Sequence, residues 1–521
     1  MWPTRTVAKI AAQRREPRRA ATSPGSVVEM ANSETASTGV TGLDDILGGG
    51  LPRHRIYLLQ GDPGVGKTTL GMRFLLAGVA LGERCLYVAL SETRPEILAV
   101  VNSHGWSLDG IDVIELTALD QSADLAGENT LFETSEVELQ ETTRRVLGEI
   151  ERIRPDRVVF DSLSELRLLA QTSLRYRRQI LALKQYLADK RITVVLLDDR
   201  TIDANDQQLQ SLAHGVISLE QVSPTYGADR RRLRVIKLRG CSFHSGHHDF
   251  AIRTGGIELF PRIVPGNHRA RFPRDRLSSG LASLDTLLGG GLDYGTSTLI
   301  IGPAGTGKSS LAIQYAVAAA ARGERAMVFA FDERIATLFE RTRALGIDLE
   351  AHVASGALGI QQVDPAELSA GEFAHRVRLA IDAVRARVIV IDSLNGYLHA
   401  MADEKQLTVQ FHELLSYLGN LGVATVMVMA QHGLTGSIQS PVDVSYLADT
   451  VVMLRYFEAG GRIRKAISVL KKRSGAHEDT IRELTLDGQG VHVGEALTQF
   501  TGVLTGVPKY VGRSAELAAR D

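Results

Sequence analysis

The chain has 521 residues, 44% hydrophobic and 23% charged, which is enough apolar material for several globular cores and excludes wholesale disorder. The formal net charge of −1 argues against bulk electrostatic binding to nucleic acid. The two cysteines, Cys85 and Cys241, provide neither a disulfide framework nor a thiolate metal site and point to a reducing, cytoplasmic compartment, and no apolar run reaches the ~18 residues of a membrane helix.

Residues 1–35 read as a disordered basic tail. Over residues 1–28, Arg5, Lys9, Arg14, Arg15, Arg18 and Arg19 stand against the single acid Glu16, without helical periodicity and without the apolar stretch of a secretory signal. Met30 offers a second translation start. The first globular unit is expected over 36–262. It opens on GLDDILGGGL (42–51), followed by a short apolar run, RIYLLQ (55–60), a Gly-rich loop, GDPGVGKTT (61–69), and a helix from Lys67 to about Gly82. RCLYVAL (84–90), RVVFD (157–161) and ITVVLLD (192–198) are further apolar runs of the kind buried on both faces of a parallel sheet. Between them Leu139, Thr143, Leu147, Ile150 and Ile153 share one side of a helix.

Residues 263–275, inside the Pro- and Arg-rich RIVPGNHRARFPRDR, read as a linker. The second unit, 276–507, repeats the first. SLDTLLGGGL (283–292) echoes 42–51, GPAGTGKSS (302–310) echoes 61–69, and RGERAMVFAFDE (322–333) echoes LGERCLYVALSE (81–92). All three stand at one offset, 308 − 67 = 241, which marks duplication of a whole unit. The apolar runs recur as STLIIG (297–302), AMVFAF (326–331), RVIVID (387–392) and VATVMVMA (423–430), before a short tail over 508–521. The fold class is α/β, with two mostly parallel sheets flanked by helices.

Each loop fits G-x-x-x-x-G-K-[ST] between a strand and a helix. In that setting backbone N–H groups and the positive helix end cradle phosphates. Gly61, Gly64 and Gly66, like Gly302, Gly305 and Gly307, allow close approach of the backbone. Lys67 and Lys308 would reach the β/γ-phosphates of ATP. Thr68 and Ser309 would hold Mg2+, and Thr69 and Ser310 complete the loops. Asp161 and Asp392, each ending an apolar strand, suit the second Mg2+-side carboxylate of a P-loop enzyme, although a helix cap is the alternative. Glu92 in copy one, and Asp332 with Glu333 in copy two, are the acids placed to activate water. The single acid of copy one, beside Ser91, predicts that most hydrolysis comes from copy two.

Tandem GxxxxGK[ST] units, each led by LDxxLGGGL and each followed by acids after the second strand and by a late K-x-R strand, resemble the KaiC family of ring-forming ATPases in the RecA superfamily. The resemblance spans roughly 36–510. It implies two RecA-like domains, ATP and Mg2+ as ligands, a homohexamer, and a signalling or clock-like protein partner. It assigns Lys237 and Arg239 of IKLRG, and Lys471 and Arg473 of LKKRSG, to the neighbouring subunit's nucleotide. It also implies serine/threonine autokinase activity at a site before DT. DVSYLADT (443–450) places the serine at Ser445, with Tyr446 where the family has threonine. The clock proteins carry a longer C-terminal tail for their activator, so the expectation is regulation or signalling and not the oscillator itself.

Three features stand outside this scheme. FHSGHHD (243–249) clusters histidines in a loop with no distant metal ligand. DRRRLRVIKLRG (229–240) is the strongest basic run, the one feature favouring the alternative of a DNA-directed recombinase or helicase motor, for which neither mobile DNA loops nor a zinc module are visible. Gln431 is placed to sense a γ-phosphate; the matching place in copy one is Asp199, so that role is not duplicated.

Overall fold

A computed structural model describes residues 34–116, 134–200, 206–224, 227–399, 404–431, 446–504 and 508–511. The expected tail over 1–33 and the expected phosphosite Ser445 lie outside the described residues. The chain divides into two compact units that part near residue 263. Each is built on a nine-stranded sheet.

In the first unit the strands are β1 (Ile56–Gly61), β2 (Cys85–Ala89), β3 (Ile111–Glu115), β4 (Arg157–Asp161), β5 (Thr193–Asp199), β6 (Gly215–Val222), β7 (Arg230–Leu238), β8 (His248–Arg253) and β9 (Gly256–Phe260). Their order is β9-β8-β7-β6-β1-β5-β4-β2-β3. The strands from β6 to β3 run parallel, and β7, β8 and β9 close one side as antiparallel hairpins. Helices α1 (Lys67–Val79), α2 (Arg94–Ser103), α3 (Thr134–Ile153), α4 (Leu163–Ala170) and α5 (Ser173–Asp189) cover the faces.

The second unit repeats the plan with β10 (Ser297–Gly302), β11 (Ala326–Ala330), β12 (Leu358–Gln362), β13 (Val388–Asp392), β14 (Ala424–Ala430), β15 (Thr450–Ala459), β16 (Arg462–Lys472), β17 (Arg482–Asp487) and β18 (Gly490–Ala496). The order β18-β17-β16-β15-β10-β14-β13-β11-β12 is the same. Its main helices are α6 (Lys308–Ala321), α7 (Ile335–Ala344), α8 (Ala370–Asp382), α9 (Leu394–His399) and α10 (Glu404–Asn420). The molecule therefore holds two tandem RecA-like α/β domains.

The central strands are buried along their whole length because helices lie on both faces, and this is why they read as continuous apolar runs. Each sheet separates two hydrophobic clusters. The LDxxLGGGL segments have a structural task. Asp44 accepts hydrogen bonds from Ser37 Oγ (2.6 Å), Thr38 N (2.8 Å) and Thr38 Oγ1 (2.7 Å), and Asp285 does the same for Ser278 and Ser279. Around the expected linker, Asn420 Nδ2 donates to Pro265 O and Phe272 packs against Gly295 and Gly422, so this stretch lies on the second unit.

Among the described residues, the largest fully buried side chain is a charged one, in a strand. Arg157, fully buried at the start of β4, pairs with Glu83, donates to Ser37 O (2.6 Å) and Phe74 O (2.8 Å), and lies over the Phe74 ring. A buried pair is costly to break because the surviving charge stays desolvated. Arg157→Met is expected to lower the stability of the first unit by about 3 kcal/mol in denaturant unfolding, and a loss under about 1 kcal/mol would contradict this reading.

Candidate functional site

Strand β1 delivers the first Gly-rich loop at its carboxyl end. Gly66 caps α1 at φ 110°, a left-handed conformation that only glycine takes without strain, and no side chain occupies the helix N-terminus. Lys67 is 7% exposed; its Nζ donates to Gly61 O (2.9 Å) and Asp62 O (2.9 Å) and pairs with Asp199 Oδ1 at 2.7 Å. Thr68 Oγ1 donates to Asp161 Oδ2 (2.7 Å), which also accepts from Tyr87 OH (2.6 Å). Burial raises the Asp161 carboxyl above its ordinary range, against the two hydroxyl donors and Lys67.

Glu92 follows β2. A capping box between Thr93 and Glu96 starts α2 at once and fixes Glu92 in the turn. Its Oε2 is buried with no hydrogen-bond partner. Burial, reinforced by the charges of Asp161 and Glu96, pushes the carboxyl up to about 7. A carboxylate of that basicity beside a phosphate loop is suited to accept a proton near neutral pH.

The second site shares the frame and differs in its charges. Gly307 again caps the helix, at φ 100°. Lys308 Nζ donates to Pro303 O (2.7 Å), and the strand position occupied by Asp199 in the first unit is Ala430 here. Burial pushes the Lys308 ammonium down to about 8, with Asp392 opposing. Asp392 is raised by burial and accepts a hydrogen bond from Ser309. The two acids after β11 are both engaged. Ser393 Oγ donates to Asp332, while Glu333 receives two donors from Arg341, Nε at 3.1 Å and Nη2 at 2.7 Å. Arg341 Nη1 also donates to Ser310 Oγ (2.7 Å).

The remaining sequence candidates fall elsewhere. Lys237 lies opposite Val216 in β6, which lies opposite Leu58, three residues before Gly61 in β1. Lys471 is related in the same way, through Val451 and Leu299, to Gly302. Each pair thus stands toward the end of the sheet away from its own loop. The head groups rest on backbone carbonyls, Arg239 on Ser211 O (2.9 Å), Lys471 on Ala448 O (2.8 Å) and Arg473 on Tyr446 O (3.0 Å). Lys237 donates to Gln210 O. Gln431 matches Arg200 and not Asp199, because Gln431 N bonds Gly302 O (3.0 Å) as Arg200 N bonds Gly61 O (3.1 Å).

Within the histidine cluster, His248 is held by the backbone. His248 Nδ1 accepts from Arg262 N, its Nε2 faces His244 O, and burial pushes it down to about 4. Among the described residues no group of three His, Cys, Asp or Glu side chains is placed to hold a metal by itself. The basic run of β7 is interleaved with acids, since Arg232 lies opposite Glu220 in β6 and Asp249 in β8.

The family model described as ATPase: KaiC matches residues 36–263 and again 277–498. The chain belongs to the KaiC family of ATPases. It is 28% identical over 496 residues to the circadian clock oscillator protein KaiC of Parathermosynechococcus lividus, covering 92% of this chain and 89% of that one. It is 29% identical over 480 residues to the circadian clock protein KaiC2 of Synechocystis, covering 91% and 83%. With the KaiC protein of Synechococcus elongatus it shares 28% identity over 499 residues, 94% of each chain. The duplicated loop is thus the nucleotide-binding element of a KaiC-type ATPase. No helix among the described residues is long and apolar enough to cross a membrane.

Sequence reasoning passed over Tyr87 and Arg341, and it named Asp199 only as the counterpart of Gln431 and not as the partner of Lys67. Tyr87 sits inside an apolar run, and its hydroxyl reveals itself only where the strand ends beside Asp161. Replacing Lys67 or Lys308 by Ala is expected to remove one of two bound nucleotides per chain in equilibrium dialysis. Two nucleotides retained in either variant would contradict the site assignment. Burial raises the Glu92 carboxyl to about 7, so if it accepts the proton of the attacking water, hydrolysis by the first unit, measured in Lys308→Ala, should fall as pH drops below 7. A flat rate between pH 6 and about 8 would contradict that role.

Proposed function

We propose that the protein is a KaiC-like ring ATPase that binds ATP with Mg2+ in both units, hydrolyses it, and transfers phosphate to its own Ser445, in a regulatory or signalling role. The observation that carries this reading is the duplicated constellation of a buried Lys, a Thr or Ser hydroxyl and a strand-end Asp, with the unpartnered Glu92 beside the first copy. Thr68 with Asp161, and Ser309 with Asp392, would hold Mg2+, which neutralises charge on the phosphates when bound. In the first unit Glu92 takes the proton of a water whose oxygen attacks the γ-phosphorus; the bond to the β-phosphate oxygen breaks and ADP leaves. Lys67 and the loop N–H groups stabilise the oxygens that gain charge. In the second unit the Ser445 hydroxyl replaces water, and Asp332 or Glu333 takes its proton.

The Lys237–Arg239 and Lys471–Arg473 pairs stand away from their own loops, which supports a role toward a neighbour in a homohexamer of two stacked rings. The relatives are named as clock proteins, and a signalling or clock-like protein partner fits that lineage. A DNA motor is not favoured, since the acids beside the β7 run dilute the positive stripe such a partner needs.

Binding that occurs only in the assembled state favours assembly. Light scattering is therefore expected to give a large, nucleotide-stabilised oligomer, and a monomer at micromolar protein in saturating Mg-ATP would defeat the ring. Intact-mass and peptide analysis after Mg-ATP incubation is expected to find one phosphate, on Ser445. Hydrolysis without that phosphate would leave a plain ATPase. A tyrosine carries its hydroxyl further from the backbone than a threonine does, so the Tyr446 oxygen is not expected at the threonine's place, and a second phosphate on Tyr446 would contradict that.

A further inference from the structure

The two units present their own comparison, because the second carries an arginine where the first has none. Counting at the shared offset, Glu92 matches Glu333, Thr69 matches Ser310, and Val100 matches Arg341. In the first unit Glu92 follows β2 with Oε2 buried and unpartnered. In the second, Arg341 projects from α7 onto both oxygens of Glu333 and onto Ser310 Oγ in the first turn of α6. Both partners of the pair are about three-quarters buried, with side chains 25% exposed.

A planar guanidinium bound through two N–H groups holds a carboxylate in one orientation and takes one lone pair on each of its oxygens. A general base must be within hydrogen-bond reach of the proton it takes and free to accept it. Glu333 is not free in this sense. Asp332 is exposed and carries one hydroxyl donor, from Ser393.

We propose that Arg341 is a positioning residue that withdraws Glu333 from base chemistry, so that Asp332 alone serves as base in the second unit while the unclamped Glu92 makes the first unit the faster hydrolase. This rests on the reading that these acids activate water in a KaiC-type ATPase. It reverses the expectation, drawn from counting acids, that most hydrolysis comes from the second copy. The chemistry of the step is unchanged. Water or a hydroxyl attacks the γ-phosphorus, ADP departs, and the proton goes to Asp332, the carboxylate that no guanidinium holds.

The test uses the full chain carrying Glu92→Gln, in which the first unit keeps its phosphate loop and loses its base, so that remaining turnover belongs to the second. If Glu92→Gln leaves whole-chain turnover unchanged, the underlying reading fails, before Arg341 is touched. In this background Glu333→Gln should change turnover less than about twofold, and Asp332→Asn should lower it at least about tenfold. Arg341→Met should raise it several-fold, and adding Glu333→Gln should abolish the rise. A purely structural arginine gives no such gain. A large loss from Glu333→Gln alone, or a rise that survives Glu333→Gln, would overturn the proposal. Should Arg341→Met lose nucleotide binding, the reciprocal variant decides. Val100→Arg in the otherwise unchanged chain should lower first-unit turnover about tenfold with nucleotide still bound, and an unchanged rate would overturn the proposal.

Discussion

Each half of this molecule is organised around a lysine ammonium held in a loop at the end of a buried strand. Lys67 and Lys308 are each 7% exposed, and an ammonium there needs partners in place of water. The loop carbonyls of Gly61, Asp62 and Pro303 supply them only because the strand ends and the helix begins within a few residues. That turn needs glycine at left-handed φ, at Gly66 and Gly307, and the strand before it must be fixed from both sides by parallel neighbours. The six-stranded parallel core and its helices follow from this demand. The antiparallel strands β7–β9 and β16–β18 then extend one edge and carry the Lys–Arg pairs.

Duplication kept this frame and let its charges diverge. In the first unit Asp199 stands against Lys67 and Tyr87 donates to Asp161; in the second these positions are Ala430 and Val328. The first unit leaves Glu92 unpartnered, and the second ties Glu333 to Arg341. Arg157, pinned to Glu83 in the first core, is Val388 in the second. The offset itself falls from 241 at the loops to 392 − 161 = 231 at the strand-end acids, which places the length difference between the second and fourth strands. Two sites of one ancestry have thus acquired different electrostatics without altering the sheet.

Much of the fold was legible because parallel strands buried on both faces must be apolar throughout, as in YLLQ, VVF, LII and VIVI. The edge strands β3 and β12, IDVIE and LGIQQ, escaped because one side is half exposed and their composition is mixed. Site residues that share a loop motif were legible for the same reason, since Lys67, Thr68, Lys308 and Ser309 are fixed by local spacing. Contacts across the fold were not. Arg341 reads as a polar helix residue until α7 is packed against the first turn of α6, and Asp199 reads as a strand end until β5 lies beside β1. Counting acids does not reveal such partners, because whether a carboxylate is free depends on contacts made elsewhere in the chain.

In the ring proposed above, each phosphate loop is completed by the neighbouring subunit's Lys–Arg pair. The most direct measurement mixes two inactive chains, one with Lys67→Ala and one with Arg239→Ala, both carrying Lys308→Ala to silence the second unit. If the pair acts across subunits, equal mixing should place an intact loop against an intact arginine at some interfaces and restore about a quarter of the parent first-unit hydrolysis. Activity no higher than the mean of the two separate chains would contradict the account.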